Sequence, residues 1–226
     1  MEYNSTVMTH TIPTDYIGRQ DLCYALLALP SKNFKRRVRD LLADLVAELP
    51  GVIWPMPPEQ LHITLCEIIQ AKSYSQDKEA LFNSHQERYE TAPGAVLSRL
   101  PKFTVTFDVV EVSPQAIIIR ASDSSMFNDI RAKLLEAMEL PRETRTPPDI
   151  THSSIARYLS AVDITQVQEA VSRHSLTIEE EITEFKLLRT TTLPLEKYEI
   201  VGSFPLAVLS CRALAKSDLT HPKSAE

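Results

Sequence analysis

Glycine is scarce in this chain of 226 residues: only four are present, each isolated from the others. Phosphate-binding loops of the dinucleotide and P-loop types need clustered glycines, because only glycine lets several backbone N–H groups approach phosphate oxygens. Both loop types are therefore excluded. Any phosphate that this protein binds must be held by side chains.

Cysteine is also rare. Cys23, Cys66 and Cys211 are an odd number and form no Cys-x-x-Cys pair, which argues against a disulfide framework and a structural zinc site. This cysteine usage favours a reducing compartment, so we expect a cytoplasmic protein. A nucleophilic role for Cys66 is a weaker interpretation than a buried, inert thiol.

Long apolar runs and an excess of positive charge are absent as well. No run approaches the ~18 apolar residues of a membrane helix, and residues 1–16 lack the segments of a signal peptide. We therefore expect neither export nor a membrane partner. Lys and Arg number 24 against 30 Asp and Glu, a net charge of −6. This opposes counterion-driven binding of long nucleic acid and favours a short or small substrate.

One pattern of strand, helix, proline-rich loop and strand occurs twice. In the first copy, residues 22–29 form an apolar strand, and Ser31 caps a helix with an apolar stripe over 38–49. A proline-rich turn at 54–58 follows, and then a strand at 61–67 in which apolar and other residues alternate. The second copy has a strand at 115–120, a helix capped by Ser122 or Asp123, prolines within 141–148 and a strand at 150–158. The helix of the second copy has one apolar face, formed by Phe127, Ile130, Leu134 and Met138. The simplest interpretation is an internal duplication.

The rest of the chain completes one unit. The pattern predicts a helix in 76–90, a strand at 103–112, a helix after Asp163, and strands at 178–192 and 198–206. We predict an N-terminal extension (1–20), a single domain (21–206) and a polar tail (207–226).

The last strand of each copy carries a histidine followed two positions later by a hydroxyl: His62 with Thr64, and His152 with Ser154. Alternation in a strand puts residues i and i+2 on one face, so Cys66 shares the first face and Tyr158 the second. If the two strands pack together, two imidazoles and two hydroxyls line one groove.

Such a groove suits phosphodiester chemistry. A neutral histidine takes a proton from the attacking water or hydroxyl, and a protonated one gives a proton to the leaving oxygen. Thr64 and Ser154 hydrogen-bond the phosphate oxygens. This chemistry needs no metal or cofactor. Which histidine is the base stays open.

The tetrads His62-Ile63-Thr64-Leu65 and His152-Ser153-Ser154-Ile155 on a duplicated frame resemble the two-histidine (2H) phosphoesterase superfamily, which includes 2′,5′ RNA ligase-like proteins and cyclic phosphodiesterases. The resemblance covers roughly residues 20 to 206 and implies an α+β fold of two lobes with antiparallel sheets around a central cleft. It also implies metal-independent cleavage of a 2′,3′-cyclic phosphate or a 2′,5′ linkage in a nucleotide or short RNA end, by His62 and His152 with Thr64 and Ser154. Ser153 departs from the apolar residue more common there.

Five further side chains are candidate substrate contacts. Tyr24 and Tyr158 lie on predicted strands, Trp54 precedes His62, and Arg142 and Arg145 lie in the loop before His152. For the tyrosines, core packing is the better interpretation, and for the arginines a contact with a substrate phosphate is the weaker one. Trp54 can stack on a base or cap the core, and both interpretations stay open. We expect a monomer.

Two alternatives to an enzyme remain. The groove can bind a nucleotide or RNA end without turnover, or the histidines can be incidental in a structural protein. Nucleotide titration of the histidines separates the two.

Overall fold

The computed structural model describes residues 7–72, 74–147 and 149–207. These residues form nine strands and five helices, with a 3₁₀ turn at Pro58–Gln60. In chain order they are β1 (Gln20–Ala28), α1 (Lys32–Glu48), β2 (Ile53–Pro55), β3 (Ile63–Ile69), α2 (Lys78–Asn83), α3 (Gln86–Leu97), β4 (Phe103–Val112), β5 (Ile117–Ala121), α4 (Ser125–Met138), β6 (His152–Tyr158), α5 (Ile164–Ser172), β7 (Ile178–Ile182), β8 (Glu184–Thr192) and β9 (Lys197–Pro205).

The strands form two antiparallel sheets, so the predicted α+β class is confirmed. The first sheet has the order β3-β1-β8-β9 and the second the order β2-β6-β5-β4-β7. In each sheet, the strand at the histidine pairs with the strand that opens its repeat. The strand β3, which follows His62, pairs with β1, and β6, which begins at His152, pairs with β5. The duplication inferred from the sequence therefore corresponds to matching strand pairs.

The helices of the two repeats pack on each other's sheets. Phe34 of α1 meets Phe107 of β4, with ring centroids 5.2 Å apart, and Ser31 binds the buried Glu180 carboxylate on β7 through its N–H (2.6 Å) and hydroxyl (2.7 Å). Conversely, Phe127 of α4 packs edge-on against Phe185 of β8 in the first sheet, at 5.7 Å. A single cluster of buried apolar residues includes side chains from both sheets. Each repeat thus supplies a helix that covers the other's sheet, and the two repeats share one core.

Four details of the predicted secondary structure are wrong. The helix predicted in 76–90 is two helices, α2 and α3. The strand predicted at 178–192 is divided at Thr183 into β7 and β8, which belong to different sheets. The cap of α4 is Ser124, while the Asp123 side chain accepts from the Ser125 N–H. The short strand β2 was not predicted, since three residues give no measurable period.

The segments flanking the predicted domain differ in what the structure describes. Residues 7–12 run beside β6, where the Ile12 N–H donates to the Tyr158 carbonyl. The predicted polar tail lies outside the described residues from 208 onward. Among the described residues, no helix has the length and apolar character needed to cross a bilayer.

Candidate active site

Both histidine-bearing strands contain the same irregularity. In the β1–β3 ladder, Leu26 pairs with Cys66 and Leu27 with Thr64, which leaves Leu65 unpaired. In the β5–β6 ladder, Ile117 pairs with Ala156 and Ile118 with Ser154, which leaves Ile155 unpaired. Each strand therefore has a one-residue bulge three positions after its histidine.

The bulge changes which side chains face the cleft, because an extra residue reverses the alternation beyond it. Cys66 is buried and Glu67 exposed in the first strand, and Tyr158 is buried and Arg157 half-buried in the second. The expectation that Cys66 shares a face with His62, and Tyr158 with His152, is therefore wrong. The fifth residue after each histidine faces the cleft instead: Glu67 in one copy and Arg157 in the other.

The cleft brings the four predicted residues together. A cavity of about 340 Å³ is lined by groups from both repeats: His62, Thr64, Leu65, Glu67, Gln70, Arg145, Thr146, Pro147, His152, Ser154 and Arg157. A second chamber of about 200 Å³ continues over the first sheet and shares His62, Thr64, Glu67, Ser154 and Arg157 with it. Tyr16 and Arg19, which sequence analysis did not single out, line this second chamber.

The His62 ring is oriented by the backbone that precedes it. Pro58 opens the 3₁₀ turn, which ends at Gln60 and directs the Gln60 carbonyl at the ring. The Nδ1 of His62 lies 2.8 Å from that oxygen and must donate to it, so the neutral ring has its lone pair on Nε2. Burial lowers the pKa of His62, while the Gln60 carbonyl and the Glu67 carboxylate oppose this by favouring the charged ring.

The His152 ring has a different environment. Its Nδ1 is buried and has no hydrogen-bond partner of good geometry among the described residues. Burial lowers the pKa of His152, and so do the positive charges of His62, Arg131 and Arg157; the Ile150 carbonyl acts in the opposite direction. Both histidines are therefore biased toward the neutral form in the free protein.

Arg157 adds a cation to the cleft. Its contacts are weak: one terminal nitrogen lies 3.4 Å from the Ser154 hydroxyl, the other 3.4 Å from the Gln115 carbonyl, and the buried Nε has no partner among the described residues. A guanidinium with donors to spare beside two hydroxyls is suited to an anion. No sequence signal could have found it, because Arg157 reaches the cleft face only through the bulge, which is defined by pairing with β5.

The loop before His152 forms one wall of the cleft. Thr144 donates to the Ile68 carbonyl at 2.6 Å, and the Arg145 N–H donates to Gln70 at 3.2 Å, so this loop is tied to the end of β3. Arg145 lines the cavity, as the sequence suggested. Arg142 is exposed and lines neither chamber.

The three aromatic candidates do not line the cleft. Tyr24 is buried and stacks on Phe82 at 3.8 Å, and Tyr158 is buried with its hydroxyl donating to the Ser113 carbonyl at 2.9 Å. Trp54 pairs with Arg157 across β2 and β6 but packs against the core and borders neither chamber. For both tyrosines, the core interpretation is the correct one.

Another cavity lies away from these residues. It is an apolar groove of about 470 Å³ between α1 and the proline-rich turn, and Arg39 is the only charged residue in its lining. Without a group that can transfer a proton, it is not a catalytic site. Among the described residues, no three His, Cys, Asp or Glu side chains cluster as a metal site would require; metal independence stays a prediction.

Comparison with known proteins agrees with this fold. No curated protein matches the chain by sequence. The TT0787 structure of Thermus thermophilus has a TM-score of 0.52 at 18% identity, covering 81% of this chain and 97% of that one. LigT of E. coli complexed with 3′-AMP has a TM-score of 0.53 at 16% identity, covering 84% and 98%.

The family comparison goes further than the fold. The model of the 2′-5′ RNA ligase superfamily matches residues 32–193, more than two thirds of the chain, and this span includes both histidine strands and the cleft between them. The chain therefore belongs to the 2′-5′ RNA ligase superfamily.

Proposed function

We propose that this protein is a metal-independent phosphoesterase that hydrolyses a 2′,3′-cyclic phosphate or a 2′,5′-phosphodiester of a nucleotide or short RNA end. The observation that carries the proposal is the convergence of two imidazoles, two hydroxyls and a guanidinium on one cleft. Membership in the superfamily supports a phosphoesterase-type enzyme. We also propose that the protein acts as a monomer.

In the proposed reaction the two histidines move protons in opposite directions. The neutral histidine takes a proton from water as the water oxygen bonds to phosphorus. The protonated histidine gives its proton to the 2′ or 3′ oxygen as the bond between that oxygen and phosphorus breaks. Thr64, Ser154 and Arg157 bind the non-bridging oxygens, whose negative charge grows in the transition state. Reversal of the same steps would join 2′,5′ ends.

The size and charge of the cleft support a small substrate. Its two chambers, about 340 and 200 Å³, suit a nucleotide or a chain end rather than a duplex. The chain's net charge of −6 opposes binding of long nucleic acid by charge alone. Because E. coli LigT was crystallised with 3′-AMP, that nucleotide is a suitable first ligand to titrate.

The test is turnover of nucleoside 2′,3′-cyclic phosphates and a 2′,5′-linked dinucleotide in the presence of a chelator. We expect turnover by the wild type and by His10→Ala, whose side chain is exposed outside the cleft, and its loss in His62→Ala and His152→Ala. Binding of 3′-AMP without turnover of any substrate would replace the proposal with a non-catalytic nucleotide-binding module.

A further inference from the structure

Arg131 is a charged side chain in the core of the molecule. It lies on α4 with 5% of its surface exposed. Its Nη1 donates to the Asn128 side-chain oxygen at 2.8 Å, and its other hydrogen bonds go to three backbone carbonyls. No described carboxylate is hydrogen-bonded to this cation, and burial lowers its pKa.

The three carbonyls belong to both halves of the cleft. Nε donates to Leu65 at 2.9 Å, and Nη2 donates to Thr64 at 3.1 Å and to Ile150 at 3.0 Å. Thr64 carries a proposed phosphate ligand, Leu65 is the bulged residue of β3, and Ile150 lies two residues before His152. One guanidinium therefore joins the bulge of the first histidine strand to the entrance of the second.

Three polar side chains of α4 and its N-cap bind the backbone of residues 149–151, the segment that leads into His152. The Ser124 hydroxyl accepts from the Thr151 N–H at 2.8 Å, and the Asn128 amide donates to the Asp149 carbonyl at 2.9 Å. Arg131 completes the series at Ile150. Three consecutive residues before His152 are thus fixed by three side chains of one helix, and only Arg131 also reaches β3.

The contact with Ile150 makes the two histidines unequal. In the first repeat, the carbonyl two residues before the histidine, Gln60, accepts the hydrogen bond of His62. In the second repeat, the equivalent carbonyl, Ile150, accepts from Arg131. It still favours the charged form of His152, but the Nδ1 of His152 has no hydrogen-bond partner of good geometry among the described residues.

A purely structural role does not explain why a side chain with so large a desolvation cost is buried here. A buried guanidinium whose hydrogen bonds go only to neutral groups has a large desolvation cost, which the nearby Asp149 charge offsets only in part. Apolar side chains of similar volume often replace buried charges without loss of stability. A cation beside the proposed phosphate site can act on the catalytic groups, which an apolar side chain of the same volume cannot do.

We propose that Arg131 is a positioning residue of the cleft, which sets the spacing of the two histidine strands and holds the Ile150 carbonyl beside His152. This inference rests on the proposed function. The charges that shift the pKa of His152 are those of His62, Arg131 and Arg157, and all of them lower it. Glu67 and Arg145 line the same cavity. The charge and the hydrogen-bonding fork of Arg131 thus make separable contributions.

Two variants separate them. Arg131→Lys keeps the charge but replaces the planar fork, whose separate nitrogens reach these carbonyls, with a single nitrogen. We expect kcat to fall about 10- to 100-fold with little change in KM, as small misplacements of reacting groups do. Arg131→Met loses the charge too, and we expect the pKa of His152, measured by NMR without ligand, to rise only in this variant. Lys133→Met, which removes an exposed charge from the same helix, is the control and should change neither quantity.

The kcat of Arg131→Lys and the His152 pKa in Arg131→Met decide whether the inference holds. Wild-type kcat in Arg131→Lys together with an unchanged His152 pKa in Arg131→Met would overturn the inference, and so would equal effects in Lys133→Met. If Arg131→Met does not fold, the kcat of Arg131→Lys decides. The NMR titration needs no turnover, so a wild type that cleaves no substrate would refute the proposed function, while titration of His152 in the variants would still test whether Arg131 controls it.

Discussion

The two halves of the cleft have the same backbone geometry but carry different charges. Each has a histidine, a hydroxyl two residues later, and a bulge at the third residue that turns the fifth toward the cavity. That fifth residue is an exposed carboxylate, Glu67, in one half and a guanidinium, Arg157, in the other. The Nδ1 of His62 donates to a carbonyl, whereas the Nδ1 of His152 has no partner of good geometry in the part of the chain that the structure describes. The duplication thus conserves geometry, while the divergence gives the cleft a positive and a negative side.

The largest expected effect is the loss of activity when either histidine, the feature common to both halves, is replaced. Because each histidine transfers a proton, His62→Ala and His152→Ala should each lower kcat about 10²- to 10⁴-fold. Steady-state kinetics on a 2′,3′-cyclic nucleotide would measure this, with His10→Ala as the matched control. Retention of full activity by either variant would mean that the halves are not equivalent partners.

A smaller loss is expected from the positive side of the cleft. Removing the Arg157 charge with Arg157→Gln should weaken substrate binding about 10- to 100-fold, as expected for charge-assisted hydrogen bonds. The measurement is the Kd for 3′-AMP by calorimetry. Arg142→Gln removes an exposed arginine that does not line the cleft, and an equal effect there would contradict a local role for Arg157.

The hydroxyls should contribute less and about equally. Thr64→Val and Ser154→Ala each remove one neutral hydrogen bond to phosphate, so we expect kcat/KM to fall about 3- to 10-fold in each. Kinetics of the two variants side by side would check this. A loss in only one of them would show that the phosphate is held by a single half of the cleft.

The smallest effect is expected from the negative side and has the opposite sign. Glu67→Gln removes a carboxylate that repels anions, so 3′-AMP should bind about two- to fivefold more tightly, in the range of exposed charge interactions. Glu67 also raises the pKa of His62, so this variant should lower that pKa and leave His152 nearly unchanged. NMR titration of both rings measures this, and weaker nucleotide binding would contradict the assigned sign.

Part of this arrangement could be predicted from the sequence, because it depends on local periods. The apolar stripe of α1 gives its helix, and Ser31 caps it by accepting from the Phe34 N–H. The i, i+2 rule placed His62 beside Thr64 and His152 beside Ser154, since the bulges come only after these pairs.

What could not be predicted depends on pairing between distant segments. A bulge is defined by the partner strand, so the sequence predicted Tyr158 on the cleft face, where Arg157 in fact lies. The split at Thr183 lacks a turn residue, and the exchange of helices between sheets leaves no local mark. Arg131 did leave a signal: it falls within the apolar stripe of α4, where a lone charge calls for a functional reason.

The most direct test of one catalytic unit is the double variant His62→Ala/His152→Ala, compared with both single variants in kcat for a nucleoside 2′,3′-cyclic phosphate. Residues that act as a unit have strongly non-additive effects. The account predicts that the double variant is only a few-fold slower than the slower single variant. Losses that multiply, or a single variant as active as the wild type, would contradict the claim that the two halves act together.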